Sequence, residues 1–396
     1  MATAKRRGGW LSCCVAIATA FLAASSAAEP SSDDVAGWDP VEGGFILRSP
    51  DGAYSFRPGL QSGYRFEPTW LNGESQPQPQ FFVVRPYATG SLYRKWIRYS
   101  AVAEFNASPP YLLDYVVDAR PVEAIGIQVG QQLTPFSRQE WRAPPQLLFP
   151  EWDIVADYFA TGRNKGALVY GNVGEGRFEY WAGAYIGSPV RQFLNFPGNY
   201  LYEFRTTFSP LGPVGPTEMP FALNPNVPFR YSFSLQGYVA KMQVTTSQLD
   251  PVTGLIVTMP TDDRPRLLAG GIDFGLQWDR LSFFSEAYVR RTRPGDGSES
   301  FVSVGAWAQL GYIVYGRTVA LGARWSWLDP SSHLGHDQFN RIEGLIAWLV
   351  DPTHLHLQLR YGIAHQEAPT GDLDSVPLIA PTGTSQTLTL QAGVFF

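Results

Sequence analysis

The chain has 396 residues, of which 44% are apolar, 14% aromatic and only 16% charged, against a charged share of about 25% in ordinary soluble proteins. A formal charge of −5, with 39 Gly and 32 Pro scattered without period, excludes a collagen-like repeat and argues against a nucleic-acid partner. So little charge over so long a chain implies a surface that does not face water everywhere.

In chain order, residues 1–28 come first. Lys5, Arg6 and Arg7 precede an apolar run from Trp10 to Ala24, and "SSAAEP" offers small residues for cleavage after Ala27 or Ala28. This is the pattern of a secretory signal peptide. Both cysteines, Cys13 and Cys14, lie inside it, so the expected mature chain has neither disulfides nor thiolate chemistry. Its loss removes three basic residues of 30 and no acid, leaving 27 against 35, a charge of −8. Residues 29–52 are expected to form a periplasmic N-terminal segment, and 53–396 a single domain.

Beyond the leader no apolar run reaches the roughly 18 residues of a membrane-spanning helix. Period-2 alternation takes its place. In "YSFRPGLQSGYRF", Tyr54, Phe56, Leu60, Tyr64 and Phe66 share one parity, while Arg57, Gln61 and Arg65 share the other. The split returns in "RYSFSLQGYVA" and "HLHLQLRYGI". About fifteen such segments start near residues 54, 81, 96, 112, 124, 165, 177, 229, 267, 281, 301, 318, 341, 354 and 386, with a sixteenth at "YLYEFRTTF". Short turn signals such as "GNVGEG" and "VDPTH" alternate with longer connections such as "SPLGPVGPTEMPFALNPNVP".

Lipid offers no partner to backbone N–H and C=O groups, so strands of this kind cross a bilayer only as a closed sheet. The expected fold is all-β: a transmembrane antiparallel β-barrel of about 16 strands. Tyr170, Trp181, Trp278, Tyr288, Trp325, Trp327 and Trp348 are expected in the aromatic girdles at the two membrane surfaces. The closing strand "TLTLQAGVFF" puts Leu388, Leu390, Ala392, Val394 and Phe396 on a lipid parity and Thr387, Thr389 and Gln391 inside. A terminal aromatic strand resembles the signal read by the bacterial outer-membrane assembly machinery, with Phe396 as its last residue. Together with the leader, it places the expected product in the outer membrane of a Gram-negative-type bacterium.

Between residues 81 and 171, "FFVVRPYATGSLYRKWIRYSAVAEF", "LLDYVVDARPVEAIGIQVGQQLTPFSRQEW" and "FATGRNKGALVYG" resemble the phosphate-selective porin O/P family. The matching positions are Arg85, Asp118, Val129, Gly130, Gln131, Pro135, Phe136, Ser137, Gly162, Arg163 and Gly166. The resemblance implies a sixteen-stranded porin, usually homotrimeric, with a long constriction loop folded into the lumen. The family's phosphate-binding lysines have no clear counterpart, since only Lys95, Lys165 and Lys241 follow the leader.

Positive charge in the expected mature chain is almost all arginine. Arg57, Arg65, Arg85, Arg98, Arg120, Arg177, Arg230, Arg290, Arg324, Arg341 and Arg360 fall on the polar parity of their segments. A guanidinium keeps its charge in any protein environment and presents a fork of donors to carboxylate or phosphate. Arg57, Arg65, Arg85, Arg98, Arg120, Arg177, Arg230, Arg324 and Arg360 are therefore the expected pore-lining set, biasing a passive channel towards small hydrophilic anions. Glu104, Asp114, Asp118, Glu179, Glu286 and Glu343 share that parity and could pair with them instead. The expected constriction loop, Thr134 to Asn164, sets Arg138, Arg142 and Arg163, with Lys165 just beyond, against Glu140, Glu151, Asp153 and Asp157. That is a balanced set, so a weakly selective general porin remains an alternative. A barrel-embedded enzyme and an adhesion or structural barrel stay open as other classes. No P-loop, dinucleotide fingerprint or G-x-S-x-G elbow is present. No cofactor, metal site or nucleic-acid partner is expected, and no enzymatic activity. The expected partners are lipid and solute.

Overall fold

Alternating apolar and polar side chains can satisfy lipid and water at once only if the strands carrying them have no open edge. The computed structural model meets that demand. It describes residues 36–38, 44–71, 74–107, 109–187, 198–215, 217–219, 227–242, 245–249, 256–260, 264–315, 318–351, 354–368, 370 and 382–395. The expected leader, part of segment 29–52, and Phe396 lie outside the described residues.

The strands are β1 (Ala36–Trp38), β2 (Phe45–Arg48), β3 (Ser55–Leu71), β4 (Glu74–Leu92), β5 (Arg94–Glu104), β6 (Tyr111–Val122), β7 (Ile125–Leu133), β8 (Arg163–Val173), β9 (Phe178–Tyr185) and β10 (Tyr200–Phe208). They continue as β11 (Arg230–Lys241), β12 (Thr245–Leu249), β13 (Ile256–Pro260), β14 (Arg266–Trp278), β15 (Leu281–Arg293), β16 (Phe301–Tyr315), β17 (Val319–Asp329), β18 (Phe339–Asp351), β19 (Leu355–Gln366) and β20 (Gly383–Phe395). Sixteen of them, β3 to β11 and β14 to β20, pair with their neighbours antiparallel and close through β20 on β3, with Leu390 opposite Phe66 and Phe395 opposite Gln61. No helix among the described residues is long and apolar enough to cross a membrane.

All sixteen barrel strands were expected from the alternation. Two departures have local causes. β4 begins at Glu74 rather than near 81, because "QPQPQ" offers no apolar beat to mark a strand. The small hairpin of β12 and β13, inside the β11–β14 connection, stands apart from the barrel sheet.

Connections alternate between two ends. At the loop end lie 72–73, 105–110, 134–162, 186–199, 242–265, 294–300, 330–338 and 367–382; at the turn end lie 93, 123–124, 174–177, 209–229, 279–280, 316–318 and 352–354. All the turn-end connections are short except 209–229. β20 stops opposite Gln61, leaving the first residues of β3 without it as a neighbour. β2 takes that edge, pairing Leu47 with Phe56 and Arg48 with Ser55, and β1 pairs in turn with β2. The Trp38 ring then lies 6.4 Å from that of His354 in the β18–β19 turn.

Side chains on the outward parity are exposed and apolar, among them Leu235, Ile272, Val289, Ile346 and Leu390. Of the expected girdle residues, Trp278, Trp325 and Trp348 are exposed on this face, and Trp327 shares their parity. Tyr170, Trp181 and Tyr288 do not belong to the girdle. Tyr170 donates to Asp118 at 2.8 Å, Trp181 packs edge-on to Trp141 at 5.2 Å, and Tyr288 is buried against Phe136 and Phe159. They face inward, Trp181 and Tyr288 against an aromatic lodger on the inner wall.

Candidate functional site

That lodger is the loop 134–162, which turns back into the barrel. Its root is built by "VGQQLTPFSR". Gly130 has φ of 144°, and a Cβ there would run into the Tyr115 carbonyl, so only glycine permits this approach. Gln131, nearly inaccessible to solvent, donates from Nε2 to the carbonyls of Leu112 (3.2 Å) and Leu113 (2.6 Å). The chain is thereby bent inward at the end of β7. Glu286 on β15 accepts from the backbone N–H groups of Arg138 (3.2 Å) and Gln139 (2.9 Å) and from Ser137 Oγ (3.3 Å). Arg138 reaches Asp273 at 2.7 Å, and Asp273 also holds Arg205, which donates to the Phe136 carbonyl at 3.0 Å. The sequence match is therefore a set of parts that fasten one loop.

Past the root, the loop lays apolar side chains on the inner wall. Leu148, Phe149, Val155, Ala156 and Phe159 are fully buried. The short helix α1 (Ile154–Phe159), capped by Asp153 Oδ1 accepting from the Val155 N–H, turns Val155, Ala156 and Phe159 to the wall. Glycines on the inward parity make room. A methyl at Gly305 would come 2.8 Å from Val155 Cγ1, one at Gly311 2.8 Å from Leu148 Cδ2, and one at Gly322 3.2 Å from Phe149 Cε2. Two apolar clusters result inside the barrel. One joins Phe136, Val155 and Phe159 to Tyr238, Phe284, Tyr288, Trp307 and Leu328; the other joins Leu148 and Phe149 to Ile313, Ala320, Leu345 and Leu349.

Ion pairs finish the attachment. Glu151 meets Arg65 at 2.9 Å and also Arg360; Asp153 meets Arg324 at 3.3 Å and Arg341 at 3.4 Å. Glu343 bridges Arg324 (2.5 Å), Arg341 (3.2 Å) and Arg360 (3.0 Å), and Glu67 takes the other arm of Arg360 at 2.8 Å. Four guanidiniums face four carboxylates. Burial would raise the Glu151 pKa, but Arg360, Arg65 and Arg341 outweigh it and hold the carboxyl far below its ordinary range. On the root side, Arg142 lies 3.4 Å from Glu218 and Arg163 binds Asp114 at 2.8 Å.

Away from the packed loop, space remains along β3 to β7. A cavity of about 530 Å³ lies there, lined on its turn side by Ser55, Arg57, Ser91, Lys95, Arg98 and Asp118, and reaching Gln128 and Gln132. Among the described residues its wall carries three basic side chains and one acid. Arg120 is close by on β6, donating to the Glu123 carbonyl at 3.0 Å beneath the Tyr170 ring. Higher on the same wall Arg85 pairs with Glu104 at 2.6 Å.

The expected pore-lining arginines thus divide. Arg57, Arg85, Arg98 and Arg120 stand on the open wall. Arg65, Arg324 and Arg360 are buried beneath the loop and fasten it. Arg177 is exposed in the β8–β9 turn, and Arg230 donates to the Pro213 carbonyl at 2.9 Å, within the 209–229 connection. Of the expected constriction residues, Arg138, Glu140, Arg142, Asp153 and Asp157 are in the loop, whereas Arg163 and Lys165 belong to β8, paired with Leu133 and Gln131. The sequence reading missed Lys95 as a cavity residue, because it sits at the start of a strand where parity is not yet established. Among the described residues no cluster of His, Cys, Asp and Glu has the geometry of a metal site.

No protein-family model and no curated protein sequence matches the chain. Solved structures do match it in fold. OmpT of Vibrio cholerae superposes with a TM-score of 0.59 at 11% identity, over 89% of this chain and all of that one, and it has also been solved in a trimer form. The anion-selective porin of Comamonas acidovorans gives 0.57 at 10% identity over 87% of this chain and 100% of its own. OprB of Pseudomonas putida gives 0.54 at 11% over 87% and 95%. The fold is that of outer-membrane porin barrels.

Proposed function

We propose that the protein is an outer-membrane porin, a passive channel for small hydrophilic solutes that favours anions and has no enzymatic activity. One observation carries the preference. Arg138, Glu151 and Asp153 of the loop are taken up by partners on the wall, while among the described residues the open side sets Arg57, Lys95 and Arg98 against Asp118. Charges that neutralise each other under a loop contribute little field to a passing ion, whereas a low-dielectric wall with an excess of positive charge contributes much. Arginines with Lys95 and hydroxyl groups suit small anions as a class; a phosphate-specific site of the O/P type has less support, since Lys165 and Lys241 do not line this cavity. Outer-membrane placement, export by residues 1–28, delivery by the assembly machinery and a homotrimer belong to the same proposal. It draws on the leader pattern, on the resemblance, and on the trimer form of OmpT.

Purified protein in planar lipid bilayers tests the reading. Stepwise conductance is expected, with a zero-current potential across a salt gradient whose sign marks anions as the faster carrier. Bilayers without steps, or a potential of the opposite sign, would overturn it.

A further inference from the structure

The turn end holds one anomaly, the long connection 209–229 where every other link is short. It is fastened to its neighbours on both sides. Ser209 N–H donates to the Arg177 carbonyl at 2.7 Å, Gly215 N–H to Gln277 Oε1 at 3.0 Å, and Asp279 N–H to the Val227 carbonyl at 2.9 Å. Gln277 returns a bond from Nε2 to the Thr217 carbonyl at 2.9 Å. From this base residues 217–219 rise into the barrel and meet the long loop from below. Glu218 N–H donates to the Gln146 carbonyl at 2.8 Å, and Thr217 Oγ1 donates to the same oxygen at 3.3 Å. The Glu218 carboxylate, with no exposed surface, accepts from Leu148 N–H at 2.7 Å and Gln139 Nε2 at 3.3 Å, and stands 3.4 Å from Arg142. Met219 and Val227 complete the apolar cluster of Leu148, Phe149, Ile313, Leu345 and Leu349.

We propose that residues 217–219 of this connection, held from the base by its other described residues, form a second constriction element entering from the end opposite the loop, and that Glu218 is the positioning residue that locks it to the loop and confines solute to the Arg57–Arg98 wall. The inference rests on the channel reading above. A carboxylate removed wholly from water persists only with donors arranged around it, and here all of its donors come from the other segment. The buried Met219 beside it seals the joint against water. Space under the loop that would otherwise conduct without passing the basic wall is closed.

Two measurements on the full chain test this. Glu218→Ala leaves the Leu148 N–H without its acceptor and takes the carboxylate charge away from Arg142, so the joint opens and a second route forms. Single-channel conductance should rise about twofold or more and the zero-current potential should move towards zero, with Glu218→Gln between the variant and wild type. A folded Glu218→Ala barrel, recognised by its heat-modifiable gel mobility, with wild-type conductance and potential would overturn the proposal. Should that variant not fold, Met219→Cys serves, because the sequence has no cysteine outside positions 13 and 14. Its thiol should resist a charged maleimide until the barrel is unfolded; rapid labelling of the folded barrel would overturn the docking. If wild type does not conduct at all, the channel reading fails, while the thiol result still reports whether the segment is docked.

Discussion

Glu140 sits in the inward loop with only 2% of its surface exposed, and its Oε2 has no hydrogen-bond partner. Burial, reinforced by Asp157, Glu203 and Glu286 and opposed by Arg163, raises its pKa well above the ordinary carboxylate range. A raised pKa means that the fold favours the neutral acid, so any stability tied to that form is present at low pH and is lost as pH rises through the shifted value. Ionisation also adds one negative charge inside the barrel. Anion preference should therefore decline from acidic towards alkaline pH, and Glu140→Gln should flatten that decline, as read by zero-current potentials over a pH series. An unchanged pH slope in the variant would remove Glu140 as the cause. At this scale the sequence was only half legible. Arg98 and Arg324 occupy the same parity and look alike in the chain, yet Arg98 is exposed on the open wall and Arg324 is fully buried between Glu343 and Asp153. What separates them is a loop rooted far away in sequence, whose resting place no local pattern encodes.

Strands and loop fit one another through missing side chains. Gly305, Gly311 and Gly322 share the inward face with Ser303, Trp307, Gln309 and Arg324, and read by themselves they look like weak points in β16 and β17. They are sockets for Val155, Leu148 and Phe149. Gly305→Val should force Val155 and Phe159 off the wall at a cost of about 1–3 kcal/mol, as overpacking usually does. Lower denaturant midpoints and faster protease cutting within 134–162 would show it. Gly344, where an added methyl would meet nothing within 4 Å, is the matched control, and Gly344→Ala should leave both measurements unchanged. Equal behaviour of the two variants would contradict the seating of the loop. The alternation placed all sixteen barrel strands, because lipid on one side and polar or packed lumen on the other impose a period that survives in every segment. Where no such two-sided demand acts, as in the β12–β13 hairpin and in 209–229, the pattern falls silent.

On the scale of the whole barrel, an even cylinder of sixteen strands becomes an eccentric one. Apolar packing and ion pairs of Glu151 and Asp153 with Arg324, Arg341 and Arg360 hold the loop on the β14–β19 side, with Arg65 of β3 as a further tie, and leave the cavity of about 530 Å³ along β3–β7. Net charge misleads here. The chain is acidic overall, but on the proposed channel reading acids matched beneath the loop contribute little field to a solute, while the basic side chains of the open wall contribute much. The decisive comparison is therefore a double variant, Arg57→Ala with Arg98→Ala, set against Arg177→Ala in the exposed turn. The zero-current potential in a salt gradient should collapse towards zero, or reverse, in the double variant and stay at the wild-type value in Arg177→Ala. A double variant that keeps the wild-type potential would contradict the assignment of the open wall as the path that ions take.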